Sequence, residues 1–322
     1  DELSQRMFKT QMTALYHYEL NCHELKAICR VLTEAQIPHM LLKGSVIRDL
    51  YPKPYFRTSC DIDLLVKEED LERSAVLLEQ KLGYVAEKTP AFHDLSLHSK
   101  TGVHLELHFN ILEHSMPMDG VLSRVWEHAV LREGYTYVQD GAFLLFHTVA
   151  HMAYHFSHGG CGIKPFMDLK LLHDQAGFEK EVFASLCREA GLEAFYEQAY
   201  LLAEVWFGKG AHTALTLQME QYLLRGGVYG STENHVALER QRAGGKLRYA
   251  LKRIWMPKEQ LKMRYPNMKK SALLIPWYQL RRWVETVCGG RLKHAAGEMK
   301  ANSRLPETAS QVTDSMMKEL GL

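Results

Sequence analysis

Residues 60–66, Cys-Asp-Ile-Asp-Leu-Leu-Val, alternate as an extended strand does. Successive side chains on a strand leave opposite faces. Ile62, Leu64 and Val66 therefore share one apolar face, and Asp61, Asp63 and Leu65 share the other. Residues 103–109 repeat the device: Val103, Leu105, Leu107 and Phe109 point one way, His104, Glu106 and His108 the other. Two such segments predict a sheet with one face on a core and one face carrying acids.

Helices surround these strands in the sequence pattern. Residues 1–36 read as a helix with Leu25, Ile28, Cys29 and Leu32 on its buried face, ended by Pro38. Residues 39–42 form a short strand, Gly44 a turn, and Ser45 the cap of a helix carrying Val46, Ile47 and Leu50. Pro52 and Pro54 stop that helix. Leu71, Ala75, Leu78 and Leu82 mark the next helix, with Gly83 as its C-terminal cap. Residues 93–98 and 103–109 make a hairpin through a turn at 99–102.

Beyond about Asp119 the pattern is mostly helical. One further strand is expected at 135–138. Asp140 is placed to cap a long helix bearing His147, His151 and His155, which Gly159-Gly160 breaks. More helices are expected near 165–176, 179–190, 192–206, 212–225, 233–256, 268–287 and 308–320. The expected class is α+β: a small mixed sheet with flanking helices, then a mostly helical domain. The divisions are an N-terminal helical segment 1–36, a catalytic domain 37–138 and a helical, C-terminally basic domain 139–322.

With 46% hydrophobic residues, 322 residues bury a large core without covalent staples. No run approaches the ~20 consecutive apolar residues of a membrane span. Asp1-Glu2-Leu3-Ser4 is not a basic-then-apolar leader, and the chain starts without Met, as a trimmed chain would. Cys22, Cys29, Cys60, Cys161, Cys187 and Cys288 form no Cys-x-x-Cys pair, so reduced thiols and a cytoplasmic setting are expected. Net charge is +1, yet residues 238–300 hold 16 Lys and Arg against 4 Asp and Glu. Tyr249, Trp255, Tyr265, Trp277, Tyr278 and Trp283 are interleaved with those charges. An anionic partner, RNA or a membrane surface, suits that region, with residues 271–278 and Arg281-Arg282-Trp283 at the interface. A peripheral membrane location is compatible with it. Ordinary helices with solvated faces and buried aromatics are the simpler reading of the same residues.

Asp61 and Asp63 project from one strand face about 7 Å apart. They repel each other unless a cation intervenes, and hard oxygen ligands suit Mg²⁺ or Mn²⁺. Glu106, from the polar face of another strand, supplies the third carboxylate of a two-metal site. A solvated strand face is the simpler reading of either motif alone, and it also covers His104. Lys43-Gly44-Ser45 is a strand-to-helix junction where glycine lets a phosphate approach the backbone. Arg57 is the better candidate for a further phosphate contact, and Arg48 reads as a surface charge.

Together these residues resemble the nucleotidyltransferase superfamily that includes polymerase beta and the kanamycin and tRNA nucleotidyltransferases. More closely, Leu41-Leu42-Lys43-Gly44, Tyr51, Arg57, Asp61 to Val66, Gly83-Tyr84 and Glu106-Leu107-His108 are similar to a bacterial group of uncharacterised nucleotidyltransferases. The likeness runs through His151, His155 and Asp168-Leu169, over roughly the first half of the chain. Lys43 stands where the superfamily usually has an apolar residue. Fifteen residues separate Ser45 from Asp61, and the third acid is Glu.

The resemblance implies Asp61, Asp63 and Glu106 as catalytic metal ligands, with Lys43, Gly44, Ser45 and Arg57 binding the NTP. His108, His151, His155 and Asp168 then stand on the acceptor side. The implied reaction is attack of an acceptor hydroxyl on the α-phosphate with loss of pyrophosphate, dependent on Mg²⁺ or Mn²⁺. Two other classes compete: a silent binding or regulatory protein on the same fold, antitoxin-like, and a metal phosphohydrolase using His147, His151, His155 and Asp168. The oligomeric state is open.

Overall fold

The apolar faces of residues 60–66 and 103–109 lie side by side in one sheet. The computed structural model describes residues 1–113, 116–175, 177–226, 231–265, 274–289 and 292–322. They form two compact units: residues 1–151 with 164–209, and residues 152–163 with 210–322.

The first unit begins with α1 (Glu2–Glu34), β1 (His39–Leu41), α2 (Lys43–Ile47), β2 (Asp61–Val66) and α3 (Leu71–Leu82). β3 (Val85–Ala86), β4 (Asp94–His98), β5 (His104–His108), α4 (Asp119–Leu122), β6 (Ala129–Glu133) and β7 (Thr136–Gln139) follow. α5 (Gly141–Phe156) has residues 141–151 in the first unit and 152–156 in the second, and α6 (Lys164–Gln175), α7 (Lys180–Ala190) and α8 (Glu193–Phe207) complete the first. The mixed seven-stranded sheet has the order β3-β4-β5-β2-β1-β7-β6. The fold is α+β, a mixed sheet with helices followed by a helical region.

β2 pairs parallel with β5, and β1 pairs antiparallel with β2 and parallel with β7. The expected hairpin is β4–β5, with antiparallel register Leu97↔Leu105 and Ser96↔Glu106. One face of the sheet is the core: Ile62, Leu64, Val66, Leu95, Leu97, Leu105 and Leu107 pack with Ile28 and Leu32 of α1 and Ala75 and Leu78 of α3. Each such fully buried Leu or Ile contributes about 1.5–3 kcal/mol relative to an exposed one. Gly83 takes the left-handed conformation (φ 71°) that closes α3, as its position after Leu82 predicts. Asp140 caps α5 by accepting from Phe143 N–H at 2.8 Å.

Several local expectations change. Ser45 is not a helix cap: Leu42 holds that position without a side-chain bond, and Ser45 lies inside the first turn of a five-residue helix. The strand expected at 135–138 is β7, but its hairpin partner β6 was missed. Val130 and Leu131 on β6 are about half exposed, so no inward-facing alternation marks that edge strand.

The second unit holds α9 (Ala214–Gly226), α10 (Thr232–Ala243), α11 (Lys246–Ile254), α12 (Lys258–Arg264), α13 (Ile275–Cys288), α14 (Leu292–Arg304) and α15 (Glu307–Glu319). The single helix expected over 233–256 is two. Gly244 (φ +80°) and Gly245 (φ +118°) lie in a region open mainly to glycine and end α10 before α11 begins. α12 and α14 were not expected. Residues 268–273 of the helix expected at 268–287 lie outside the described residues, as do residues 271–273 of the suggested interface. No described helix is long and apolar enough to cross a membrane. All six cysteines are free thiols.

Candidate active site

The parallel register of β2 and β5 sets Asp63 directly opposite Glu106 and Asp61 opposite His104. Ile62, Leu64, Leu105 and Leu107 anchor the two strands in the core, so the intervening acids must face the other way. His108 completes the group. Its Nε2–H donates to Asp63 Oδ1 at 3.3 Å and lies 3.5 Å from Glu106 Oε2. Burial disfavours charge on that imidazole, but the bonds and charges of Asp63 and Glu106 outweigh it and lift it to about 9. Burial likewise works against ionised Asp63, and the His108 bond with the nearby positive charge of Lys43 overcomes it, holding the carboxyl well below the usual range.

Donor atoms of Asp63, Glu106 and His108 all lie within 4.8 Å of one another. The two carboxylates suit a divalent cation beside the imidazole, and in its absence the His108 imidazolium balances the acids. Asp61 stands outside this closest trio. Its Oδ1 accepts from Ser59 Oγ at 2.8 Å, which fixes the carboxylate at the start of β2. Ser59 and Cys60 also border a cavity of about 470 Å³ shared with Asn21 and His17 of α1 and with Tyr55.

α2 brings Gly44 against the same group. A Cβ at Gly44 would lie 3.2 Å from Arg57 Nη1, 3.7 Å from Ser59 Oγ and 3.8 Å from Asp63 Oδ2. Space, rather than an unusual backbone angle, is what glycine supplies here. Lys43 feels the charges of Glu113, Asp63, Arg57 and Glu106. Burial dominates and lowers its pKa despite those acids. The Ser45 hydroxyl is buried with no partner among the described residues. An unmet buried hydroxyl costs about 1–3 kcal/mol unless a ligand meets it.

Arg57 and Asp168 form a buried bidentate pair: Nε and Nη2 donate to Oδ1 and Oδ2 at 2.9 and 2.8 Å. Tyr51 O–H adds a bond to Oδ1 at 2.7 Å. Burial opposes the Arg57 charge, but Asp168 raises its pKa overall. Asp168 therefore orients Arg57, and Arg57 Nη1 is left on the Gly44 side.

The histidines of α5 separate. His147 Nδ1 is met by Gln139 Nε2 at 3.0 Å, and burial pushes its pKa well down. His151 Nδ1 bonds Glu113 Oε1 at 2.8 Å, and burial depresses it as well. His155 belongs to the second unit and is exposed. Arg48 is buried rather than a surface charge; its Nε–H donates to Gly44 O at 2.8 Å. Glu113 was not singled out from the sequence. It follows β5 in a loop with no periodicity, held where the Asn110 side chain accepts from Leu112 N–H and Asp119 accepts from Glu113 N–H. Only the tertiary placement of His151 and Lys43 marks it.

A search of curated proteins gives no match. A solution structure of the antibiotic-resistance factor ANT(2'')-Ia aligns with 14% identity and a TM-score of 0.37, over 59% of this chain and 98% of that one. The model of a family of uncharacterised nucleotidyltransferases matches residues 1–208, which contain all of β1–β7 and the Asp63, Glu106 and His108 group. The chain belongs to that uncharacterised nucleotidyltransferase family.

Proposed function

We propose that the protein transfers an NMP from an NTP to an acceptor hydroxyl and releases pyrophosphate. The observation that carries this reading is the β2–β5 register, which sets Asp63 against Glu106 with Gly44 close over Asp63. In this reading Asp61, Asp63 and Glu106 hold Mg²⁺ or Mn²⁺, with His108 next to them. When bound, the ions supply charge for the phosphates and lower the pKa of the acceptor hydroxyl.

The chain's own residues do the positioning. Gly44 leaves room for the triphosphate beside Asp63, and the unmet Ser45 hydroxyl is a donor for it. Arg57, locked by Asp168 and Tyr51, offers Nη1 to a phosphate oxygen without having to reorganise. Lys43 stabilises charge gathering on the leaving pyrophosphate. The cavity lined by Ser59 and Cys60, the two residues before Asp61, is partly open and offers an acceptor a way in. His151 and Glu113 hold each other beside Lys43, which suits a wall of the site.

The His-based phosphohydrolase has less support. Nδ1 of His147, Nδ1 of His151 and both carboxylate oxygens of Asp168 have other partners. Among the described residues the metal-spaced group is Asp63, Glu106 and His108. A silent binding protein is separated from the enzyme by a pyrophosphate-release assay over the four NTPs with Mg²⁺ or Mn²⁺. Metal-dependent release that disappears in Asp61→Asn supports the enzyme. NTP binding without turnover under every acceptor condition, unchanged in Asp61→Asn, supports the silent protein.

A further inference from the structure

Two helices of the second unit leave apolar stripes uncovered. On α11, Leu247, Leu251 and Ile254 recur at i, i+4 and i+7, and Trp255 extends the row. These four side chains are 48% to 74% exposed, while Tyr249 on the opposite side of the helix is buried. Lys246 and Arg253 flank the stripe on one side and Arg248 and Lys252 on the other, all exposed. On α13, Trp277, Leu280, Val284 and Val287 recur at i, i+3, i+7 and i+10 and are all exposed. That helix packs instead through Gln279 and Arg282.

The two helices are tied together. Trp283 Nε1–H donates to Ile254 O at 3.0 Å, and Arg282 Nη2–H donates to the same oxygen at 2.6 Å. The Trp255 and Trp283 rings meet edge to face with centroids 6.4 Å apart. Exposed apolar rows on two helices joined in this way are rare on a free surface. Its surroundings are basic, in the region with 16 Lys and Arg against 4 Asp and Glu.

A partner must therefore be apolar within and anionic at its surface. We infer that α11 and α13 dock on an anionic phospholipid bilayer. The Leu, Ile and Val side chains enter the acyl boundary, the tryptophans sit at headgroup level, and Arg248 and Lys252 reach lipid phosphates. RNA fits less well, because its bases stack on aromatic rings and leave six aliphatic side chains uncovered. A second copy fits less well because its basic rim would meet an identical basic rim.

Sedimentation of the full chain with vesicles tests this. It should pellet with equal parts phosphatidylcholine and phosphatidylglycerol, and not with phosphatidylcholine alone. Its tryptophan emission should shift to the blue, and salt should weaken binding. Leu251→Glu and Val284→Glu alter exposed positions, so they should keep the wild-type circular dichroism and lipid-free NTP turnover. Each should bind these vesicles about tenfold more weakly or worse. No pelleting with the anionic vesicles overturns the inference, as does undiminished pelleting of both variants. Oligouridylate binding without vesicle binding assigns the face to RNA. Self-association abolished by the two variants, again without vesicle binding, assigns it to a second copy.

Discussion

Asp63 and Glu106 face each other across the parallel β2–β5 pair, and His108 Nε2 stands 3.3 Å from one and 3.5 Å from the other. Two acids this close need a cation between or beside them. In the metal-free chain the imidazolium fills that need, so His108 and a divalent ion are alternative ways of balancing the same charge.

That relationship gives the first prediction. His108→Gln leaves the acids without their balancing charge and lowers Tm in chelator. Added Mn²⁺ then raises Tm more in the variant than in the wild type. A ligand at about a hundred times its Kd stabilises by about 2.7 kcal/mol, which a thermal scan resolves. Equal Mn²⁺ shifts in both proteins would refute the shared role.

The Arg57–Asp168 pair gives the second. Asp168→Ala leaves a buried guanidinium unpaired and is expected to cost about 3–5 kcal/mol in urea unfolding. Tyr51→Phe removes only one bond to Asp168 and should cost about 1 kcal/mol. If Asp168→Ala lost activity with no loss of stability, Asp168 would be acting on substrate and not as the anchor of Arg57.

At Gly44 the constraint is crowding. Gly44→Ala puts a methyl 3.2 Å from Arg57 Nη1, which must shift by a few tenths of an ångström. The expected outcome is a raised KM for NTP with stability within about 1 kcal/mol of wild type. Wild-type KM in both Gly44→Ala and Gly44→Val would remove the triphosphate from this place.

Stability should fall on the acid side of neutrality. His39 is buried and neutral, donating from Nδ1 to Ile37 O at 2.9 Å and accepting at Nε2 from the Thr136 hydroxyl at 2.8 Å. Burial lowers its pKa, and burial also lowers that of His147. Both folded-state values lie below the unfolded one, so only the unfolded chain gains protons as pH drops below about 6.5. Each ring then removes up to about 1.4 kcal/mol per pH unit. Asp63 acts in the same direction only in the more acidic range below about 4. His108, raised to about 9, acts the other way above about pH 6.5, so the fall in urea midpoints is expected from about pH 6.5 to about pH 5, and less steeply in His147→Asn. A flat profile contradicts the neutral buried rings.

Much of this was legible in the sequence because it depends on local periodicity. The alternation at 60–66 and 103–109 fixes which side chains face the core, and Gly83 and Asp140 mark helix ends by conformational and capping rules. What was not legible depends on pairing. Nothing local says that β2 runs parallel to β5 or that Asp63 meets Glu106. The distance from His108 to Asp63 is set by that register and leaves no local signal. Ser45 reads as a cap, but the chain enters α2 at Leu42. Glu113 and the Arg57–Asp168 pair join residues far apart in sequence through contacts that carry no spacing signal. The Gly244-Gly245 break was readable, since two adjacent glycines rarely continue a helix.

In the proposed reaction Asp63 and Glu106 together bind the ion on which NTP turnover depends. Mn²⁺ binding measured calorimetrically on wild type, Asp63→Asn and Glu106→Gln, with pyrophosphate release followed on the same samples, tests it most directly. Each variant should lose Mn²⁺ affinity and turnover together while keeping the wild-type circular dichroism. Full Mn²⁺ binding and turnover in either variant would contradict it.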